Sequence, residues 1–249
     1  MKYLITLICL AIATIGWGQD QDNFDKATTL YQKGDYTQAA AVYSSILKSG
    51  KESSALYYNL GNTYYKLNNV PESIYYYEKA LQLDPENADA KNNLIFANQM
   101  KVDAITPLPK TWVRQLSDGI VGLFSAHTWA VLSIIGVFAF VLSFLLYYFV
   151  ERTALKRTFF SLMLVFLFFA IGSYTLAYFC HKQVSQTQYA ILFDKTVRVF
   201  SEANAYSSEV MELHEGTKVE IIEDTKDWVK IRLVNGKTGW TKVSSLRKL

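Results

Sequence analysis

The pattern of hydrophobic and polar positions changes several times along the chain, and each change predicts a different kind of structure. An apolar run over residues 3–15 comes first, and helical periodicity then continues as far as Lys101. Two uncharged apolar runs follow, Trp129–Val150 and Phe159–Cys180, and from Tyr189 apolar and polar residues alternate. Helical periods, long apolar runs and alternation are typical of amphipathic helices, membrane spans and strands, respectively. The pattern predicts a multi-domain membrane protein with an all-α module, a transmembrane helical hairpin and an all-β module.

The N-terminal run has the layout of a secretory signal peptide. Lys2 supplies a short basic region, and the small residues Gly16 and Gly18 follow the apolar stretch. We expect residues 1–18 to form the signal peptide, with cleavage after Gly18, and an uncleaved membrane anchor is the alternative. A signal peptide would place the module that follows on the outer side of the membrane.

The two later apolar runs predict membrane-spanning helices over residues 129–150 and 159–180. Each run has 22 residues, and a helix of that length covers roughly 33 Å, enough for a hydrocarbon core of about 30 Å. The connecting loop, residues 151–157, carries Arg152, Lys156 and Arg157, and short basic loops stay in the cytoplasm. We therefore expect a multi-pass protein of the inner (cytoplasmic) membrane, with both flanking modules on the outer, periplasmic side. A buried helical hairpin of a soluble protein is the alternative.

Residues 105–128 link the all-α module to the first span. Trp112, Leu116 and Ile120 recur at helical spacing, with Asp118 off their face. This pattern is typical of a helix that lies in the membrane interface. The alternative is that the segment extends the first span.

Residues 19–104 contain an internal repeat with a period of 34 residues. Tyr31, Tyr43 and Leu47 recur as Tyr65, Tyr77 and Leu81. This period and these residues resemble the tetratricopeptide repeat family. The resemblance implies two repeats, 20–53 and 54–87, with a capping helix after the second repeat.

Tetratricopeptide repeats bind peptides on their concave side, and the resemblance implies which side chains line it. The expected groove residues are Phe24, Thr28, Tyr31, Tyr58, Asn62, Tyr65, Lys66 and Asn92. Tyrosine offers a large rigid contact area and asparagine can hydrogen-bond a peptide backbone. Lys66 is the single basic residue of this set, which argues against recognition of a C-terminal carboxylate by several lysines. The alternative is that so short a stack only docks on a neighbouring protein.

Residues 189–249 predict several short strands separated by turn signals. Thr196–Phe200 and Trp228–Leu233 alternate, and Asn235-Gly236 is a strong hairpin signal. Together with Gly239-Trp240, these residues resemble the bacterial SH3-type domain, which implies an SH3-like barrel that binds a peptide or cell-wall material, or acts as a spacer. Trp228 and Trp240 are either core residues or a ligand platform.

The sequence offers no motif for catalysis, a metal or another cofactor. Its three histidines, His127, His181 and His214, have no metal-ligand spacing. The formal net charge of +3 gives no reason to expect nucleic acid as a partner. Cys180 is interpreted as an apolar residue at a membrane boundary or as a redox-responsive thiol. We predict that the protein is not an enzyme.

The order of signal peptide, repeats, two spans and SH3-type domain resembles the repeat-and-SH3 member of the Bacteroides aerotolerance proteins. That resemblance implies a complex with other membrane proteins, including von Willebrand A-type ones, and a link to oxidative stress. Our first hypothesis is a scaffold that assembles membrane partners through the repeat groove. The second is an envelope tether whose SH3-type domain binds peptidoglycan or a peptide. A transmembrane sensor is disfavoured because the predicted cytoplasmic loop is too short for an output domain.

Overall fold

The structure is a computed structural model that describes residues 21–109 and 111–249. The predicted signal peptide, residues 1–18, lies outside the described residues. The helices are α1 (21–32), α2 (Tyr36–Lys48), α3 (Ser54–Lys66), α4 (Val70–Leu83), α5 (Ala88–Gln99), α6 (Trp112–Val121), α7 (Ala126–Phe149) and α8 (Thr153–Gln186). The strands are β1 (Gln188–Leu192), β2 (Thr196–Phe200), β3 (Glu209–His214), β4 (Lys218–Asp224), β5 (Trp228–Arg232), β6 (Thr238–Lys242) and β7 (Leu246–Lys248).

These elements divide into two compact units. The first contains the repeat region up to Pro107 together with Gln188–Leu249, and the second contains Leu108–Thr187. The repeat module and the SH3-like module, which the sequence suggested as separate, therefore belong to one unit.

Helices α2 to α5 of the repeat module begin at polar residues that cap them. The side chains of Asp35, Ser53, Asn69 and Asn87 each accept a hydrogen bond from a backbone N–H of the first helical turn. Each such cap stabilises a helix by about 1 kcal/mol. The caps fix where the helices start, so that successive helices pack against each other.

The 34-residue period reappears in the contacts inside the module. The Tyr43 hydroxyl lies 2.9 Å from the Thr28 hydroxyl, and the Tyr77 hydroxyl donates to Asn62 over 2.6 Å. Both residues of the second contact lie 34 positions after those of the first. In the second repeat, a Cβ added at Gly61 would lie 2.5 Å from the Tyr77 ring. A glycine is therefore needed where α3 packs against the Tyr77 ring of α4.

Helices α7 and α8 form a hairpin and are long and apolar enough to cross a membrane. Small residues line their contact: Gly136 faces Ala170, and the Ser133 hydroxyl donates to the Ala170 carbonyl over 3.0 Å. Small side chains let two helices approach closely without a hydrophobic driving force. Helix α8 begins at Thr153, so residues 153–157 of the predicted cytoplasmic loop are helical.

Helix α6 is separate from the first long helix. Residues 122–125 form a turn between α6 and α7, and the Trp129 indole donates to the Val121 carbonyl over 3.3 Å. The Trp112 side chain at the start of α6 is 76% exposed. The segment is therefore not a continuation of α7, and its position in a membrane interface stays a prediction.

The SH3-like module is one antiparallel sheet with the strand order β3-β2-β6-β5-β4-β1-β7. Its core consists of buried aliphatic side chains, among them Val197, Val199, Val219, Val229 and Ile231. The predicted turn between β5 and β6 is present, and Gly236 adopts a φ of +82°, which favours glycine. In the described part of the chain, no strand pairing joins β3 to β7, so the sheet is not closed into a barrel.

The repeat and SH3-like modules share a hydrophobic cluster, here called the inter-module core. Its fully buried members are Ile74 and Tyr77 of α4, Ala97 of α5 and Ile191 of β1. Each of these side chains is at most 1% exposed. The two modules therefore pack as one folded body rather than as two modules joined by a flexible linker.

Ion pairs and hydrogen bonds surround the inter-module core. Lys218 pairs with Glu78 over 2.7 Å, and Arg247 pairs with Glu72 through two nitrogens. The Arg247 guanidinium also stacks 3.7 Å above the centre of the Tyr75 ring. Paired charges that also stack on aromatic rings are specific in geometry, so these contacts set the orientation of the two modules.

A third polar contact comes from the segment after α5. The carboxylate of Asp103 accepts hydrogen bonds from the His214 backbone N–H and the Thr217 hydroxyl, each over 2.7 Å, and lies 2.8 Å from the His214 ring. Burial alone would raise the pKa of Asp103, but these hydrogen bonds hold it below its usual value. The carboxylate therefore stays ionised within the contact.

Candidate functional site

Eight side chains line a pocket of about 290 Å³ in the repeat module. The lining residues are Tyr31 of α1, Tyr58, Asn62, Tyr65 and Lys66 of α3, Tyr77 of α4, and Asn93 and Phe96 of α5. We call these eight residues the groove pocket. Five of them are among the groove residues expected from the sequence.

Two asparagines form the polar centre of the groove pocket. The Asn62 carbonyl oxygen accepts from the Tyr77 hydroxyl over 2.6 Å and from the Asn93 amide over 2.8 Å, and Asn93 also donates to Tyr58 over 3.3 Å. Because the Asn62 oxygen is occupied, its NH₂ group remains to donate to a ligand. Asn93 uses its NH₂ group in the network, so its carbonyl oxygen remains to accept.

The remaining polar groups of the pocket are tyrosine hydroxyls and one cation. Burial raises the pKa of the Tyr31 and Tyr77 hydroxyls, so both remain protonated near neutral pH. The Tyr77 hydroxyl already donates to Asn62, whereas the Tyr31 hydroxyl can donate to a ligand. Lys66 is exposed at the edge, and the lining contains no carboxylate. The pocket thus combines aromatic surface with a donor and an acceptor of the amide type, which suits a peptide main chain with apolar side chains.

Three of the residues expected in the groove lie elsewhere. The Thr28 hydroxyl donates to the Phe24 carbonyl over 2.9 Å and lies against Tyr43 of α2. The Phe24 ring packs edge-on against Tyr43 and lines a different cavity, between the start of α1 and the start of α3. Asn92 is exposed and does not line the groove pocket.

Sequence reasoning missed Tyr77, Asn93 and Phe96. A usable signal for Asn93 was the phase of α5, whose buried side is marked by Ala90 and Ala97. At about 100° per residue, Asn93 lies about 60° from the direction of Ala90, whereas Asn92 lies about 160° from it. No comparable local signal exists for Tyr77, because its reach into the pocket depends on how α4 packs against Gly61.

The SH3-like module carries a second surface, an aromatic ledge made of Phe200, Trp228 and Trp240. These side chains are half-buried on the outer face of β2, β5 and β6. The Phe200 and Trp228 rings meet edge-on at 5.7 Å, and the Lys230 ammonium lies 5.7 Å from the Trp240 ring centre. The ledge therefore offers aromatic rings beside a cation.

The described residues contain no group of three or more His, Cys, Asp or Glu side chains that could hold a metal ion. His214 is engaged with Asp103. Among the described residues Cys180 is a free cysteine, and it is partly exposed near the end of α8. The groove pocket and the aromatic ledge are the two candidate binding surfaces of the described residues.

Comparison with known families agrees with this geometry. Residues 24–88 match the tetratricopeptide repeat family, and residues 195–246 match the bacterial SH3 domain family. The chain thus combines tetratricopeptide repeats, two long apolar helices and an all-β SH3-like module, as predicted from the sequence. No curated protein sequence matches this chain.

Proposed function

We propose that this protein is a non-enzymatic scaffold of the cell envelope that assembles a membrane protein complex through its groove pocket. The observation that carries the proposal is the convergence of α1, α3, α4 and α5 on one aromatic pocket with a free amide donor and a free amide acceptor. Both matched families are interaction modules, and the proposal that the protein is not an enzyme rests on that and on the residues of the two surfaces.

The proposal includes a membrane topology, which the contact between the modules supports. The repeat and SH3-like modules precede and follow the α7–α8 hairpin, and they pack against each other. This contact supports a topology in which both modules lie on the same side of a membrane that the two helices cross. The short connection between α7 and α8 is followed by Lys156 and Arg157, which favours a cytoplasmic position. We propose that both modules lie on the outer side of the inner membrane.

Affinity purification from native membranes in mild detergent, followed by mass spectrometry, tests the scaffold. The full chain is compared with a Tyr58→Ala, Asn62→Ala variant and with Lys66→Glu, which alters the exposed edge of the pocket without touching its packing. We expect stoichiometric membrane proteins with the wild type and their loss with both variants. Retention of every partner by both variants would show that the groove pocket does not bind them.

A matched control removes the same side-chain types elsewhere. Tyr206, which is 97% exposed, and Asn204 lie in the turn between β2 and β3. Tyr206→Ala with Asn204→Ala should leave partner recovery unchanged. Deleting residues 189–249 is a poorer control, because it would uncover Ile74 and Tyr77 of the inter-module core.

The second candidate function is a tether that binds peptidoglycan or a peptide through the SH3-like module. The observation that favours it is the aromatic ledge, since flat aromatic rings stack on sugar rings and on peptide side chains. Sedimentation of the full-length protein with purified cell-wall sacculi tests it, with Trp228→Ala and Trp240→Ala as variants. Co-sedimentation that both variants abolish would support the tether, and absence of wild-type co-sedimentation would reject peptidoglycan as the ligand.

The resemblance to the Bacteroides aerotolerance proteins extends the proposal to partners and physiology. It supports von Willebrand A-type membrane proteins as members of the complex and a role in the response to oxidative stress. The same purification tests this extension. Recovery of partners without any von Willebrand A-type protein would leave the scaffold and reject the extension.

A further inference from the structure

We infer that the SH3-like module forms the back of the groove pocket, so that its docking fixes the pocket's geometry and is energetically coupled to binding there. The inference rests on the groove pocket being the partner site proposed above. It adds that residues of the SH3-like module, distant from the pocket in sequence, are positioning residues for that site.

Three tyrosines belong to both places. Tyr58, Tyr65 and Tyr77 line the groove pocket, and the same three pack in the cluster that contains Ile191 of β1. Ile191 is fully buried, and Phe193 just beyond it packs against the same cluster. One side of the pocket is therefore the outer surface of a core to which the SH3-like module contributes.

Tyr77 connects this core to the polar centre of the pocket. Its ring is confined by Gly61, where a Cβ would approach to 2.5 Å, and its hydroxyl donates to Asn62. Asn62 in turn accepts from Asn93 of α5. Because close-packed side chains transmit displacement to their neighbours, removing Ile191 from the core would release the Tyr77 ring and the Asn62 amide that it holds.

Charged pairs provide a way to loosen the docking without altering either hydrophobic core. Lys218 and Glu78 lie at the edge of the contact, with side chains 33% and 15% exposed. A like-charge pair at this site would replace attraction by repulsion in a partly desolvated position. Exchanging the two charges should restore the attraction.

Hydrogen exchange of the full-length protein in detergent micelles, measured without any partner, tests the coupling. The variants are Lys218→Glu, Glu78→Lys and the double variant that carries both substitutions and so swaps the two charges. In each single variant we expect residues 58–66 of the groove to exchange about tenfold faster, because the interface opens more often. The charge-swapped double variant should return the hydrogen-exchange rate toward the wild-type value.

The chain offers a matched control in Lys230, which pairs with Glu223 inside the SH3-like module and has a similarly exposed side chain, 32%. Lys230→Glu should leave residues 58–66 unchanged. If Lys218→Glu does not change the hydrogen-exchange rate of residues 188–193, the modules have not separated. Arg247→Glu is then added to remove the second ion pair and separate them.

The outcomes separate this inference from the proposed function. Three results would overturn the coupling. The first is faster hydrogen exchange at residues 188–193 with unchanged hydrogen exchange at residues 58–66. The others are a charge-swapped double variant that does not restore the wild-type rate and a Lys230→Glu effect on residues 58–66 as large as that of Lys218→Glu. Faster groove exchange that the double variant reverses supports the coupling. If that pattern holds while the wild type captures no partner, the coupling stands and the scaffold function fails.

Discussion

Replacing Gly61 by alanine tests how tightly the second repeat is packed. The new Cβ would lie 2.5 and 2.6 Å from two carbon atoms of the Tyr77 ring. That ring cannot move aside cheaply, because it is 1% exposed and its hydroxyl is bonded to Asn62. Overpacking of this kind costs about 1–3 kcal/mol. Alanine inside a helix stabilises that helix by about 1 kcal/mol relative to glycine.

The expected net effect of Gly61→Ala is therefore a loss of up to about 2 kcal/mol of local stability, equivalent to a factor of up to about 30 in the folded-to-unfolded ratio. Hydrogen exchange of the α3 and α4 amides in the full-length protein measures it. Gly119→Ala is the matched control, since a Cβ there meets nothing within 4 Å, and it should be neutral or slightly stabilising.

A double-mutant cycle decides whether contact with the Tyr77 ring causes the loss of stability in Gly61→Ala. In a Tyr77→Leu background the ring is gone, so the penalty of Gly61→Ala should shrink or reverse sign. A penalty of equal size in that background would refute the reasoning from the close approach.

Two further predictions concern the other contacts. Because the folded pKa of Asp103 lies below its unfolded value of about 4, its contacts stabilise the fold above that pH, and the contribution disappears as the pH falls through the folded value. The thermal unfolding midpoint of the wild type should fall as the pH is lowered, and that of Asp103→Asn should fall less. Equal falls in the two proteins would contradict this prediction. In the hairpin, a Cβ at Gly136 would lie 3.0 Å from Phe169, whereas one at Gly172 meets nothing within 4 Å. Gly136→Leu should therefore lower the midpoint of unfolding in sodium dodecyl sulfate and Gly172→Leu should not; equal midpoints would exclude tight packing at Gly136.

Periodicity along the chain was sufficient to predict the kinds of element. The resemblance to tetratricopeptide repeats implied that Tyr58, Asn62 and Tyr65 share one helix face, and alternation predicted the strands of the SH3-like module. These features are local, because a residue's place on a helix or strand face depends only on its position in the repeat. For the same reason Asn93 could have been found from the phase of α5.

Tertiary structure alone decided how the repeat and SH3-like modules meet. Lys218 pairs with Glu78 and His214 bonds to Asp103 across more than 100 positions of chain, with two long apolar helices between them. Such contacts leave no periodic trace, because they depend on the complementary shape and charge of two finished surfaces. The open edge of the sheet and the place of Tyr77 between Gly61 and the inter-module core likewise follow from packing between distant segments.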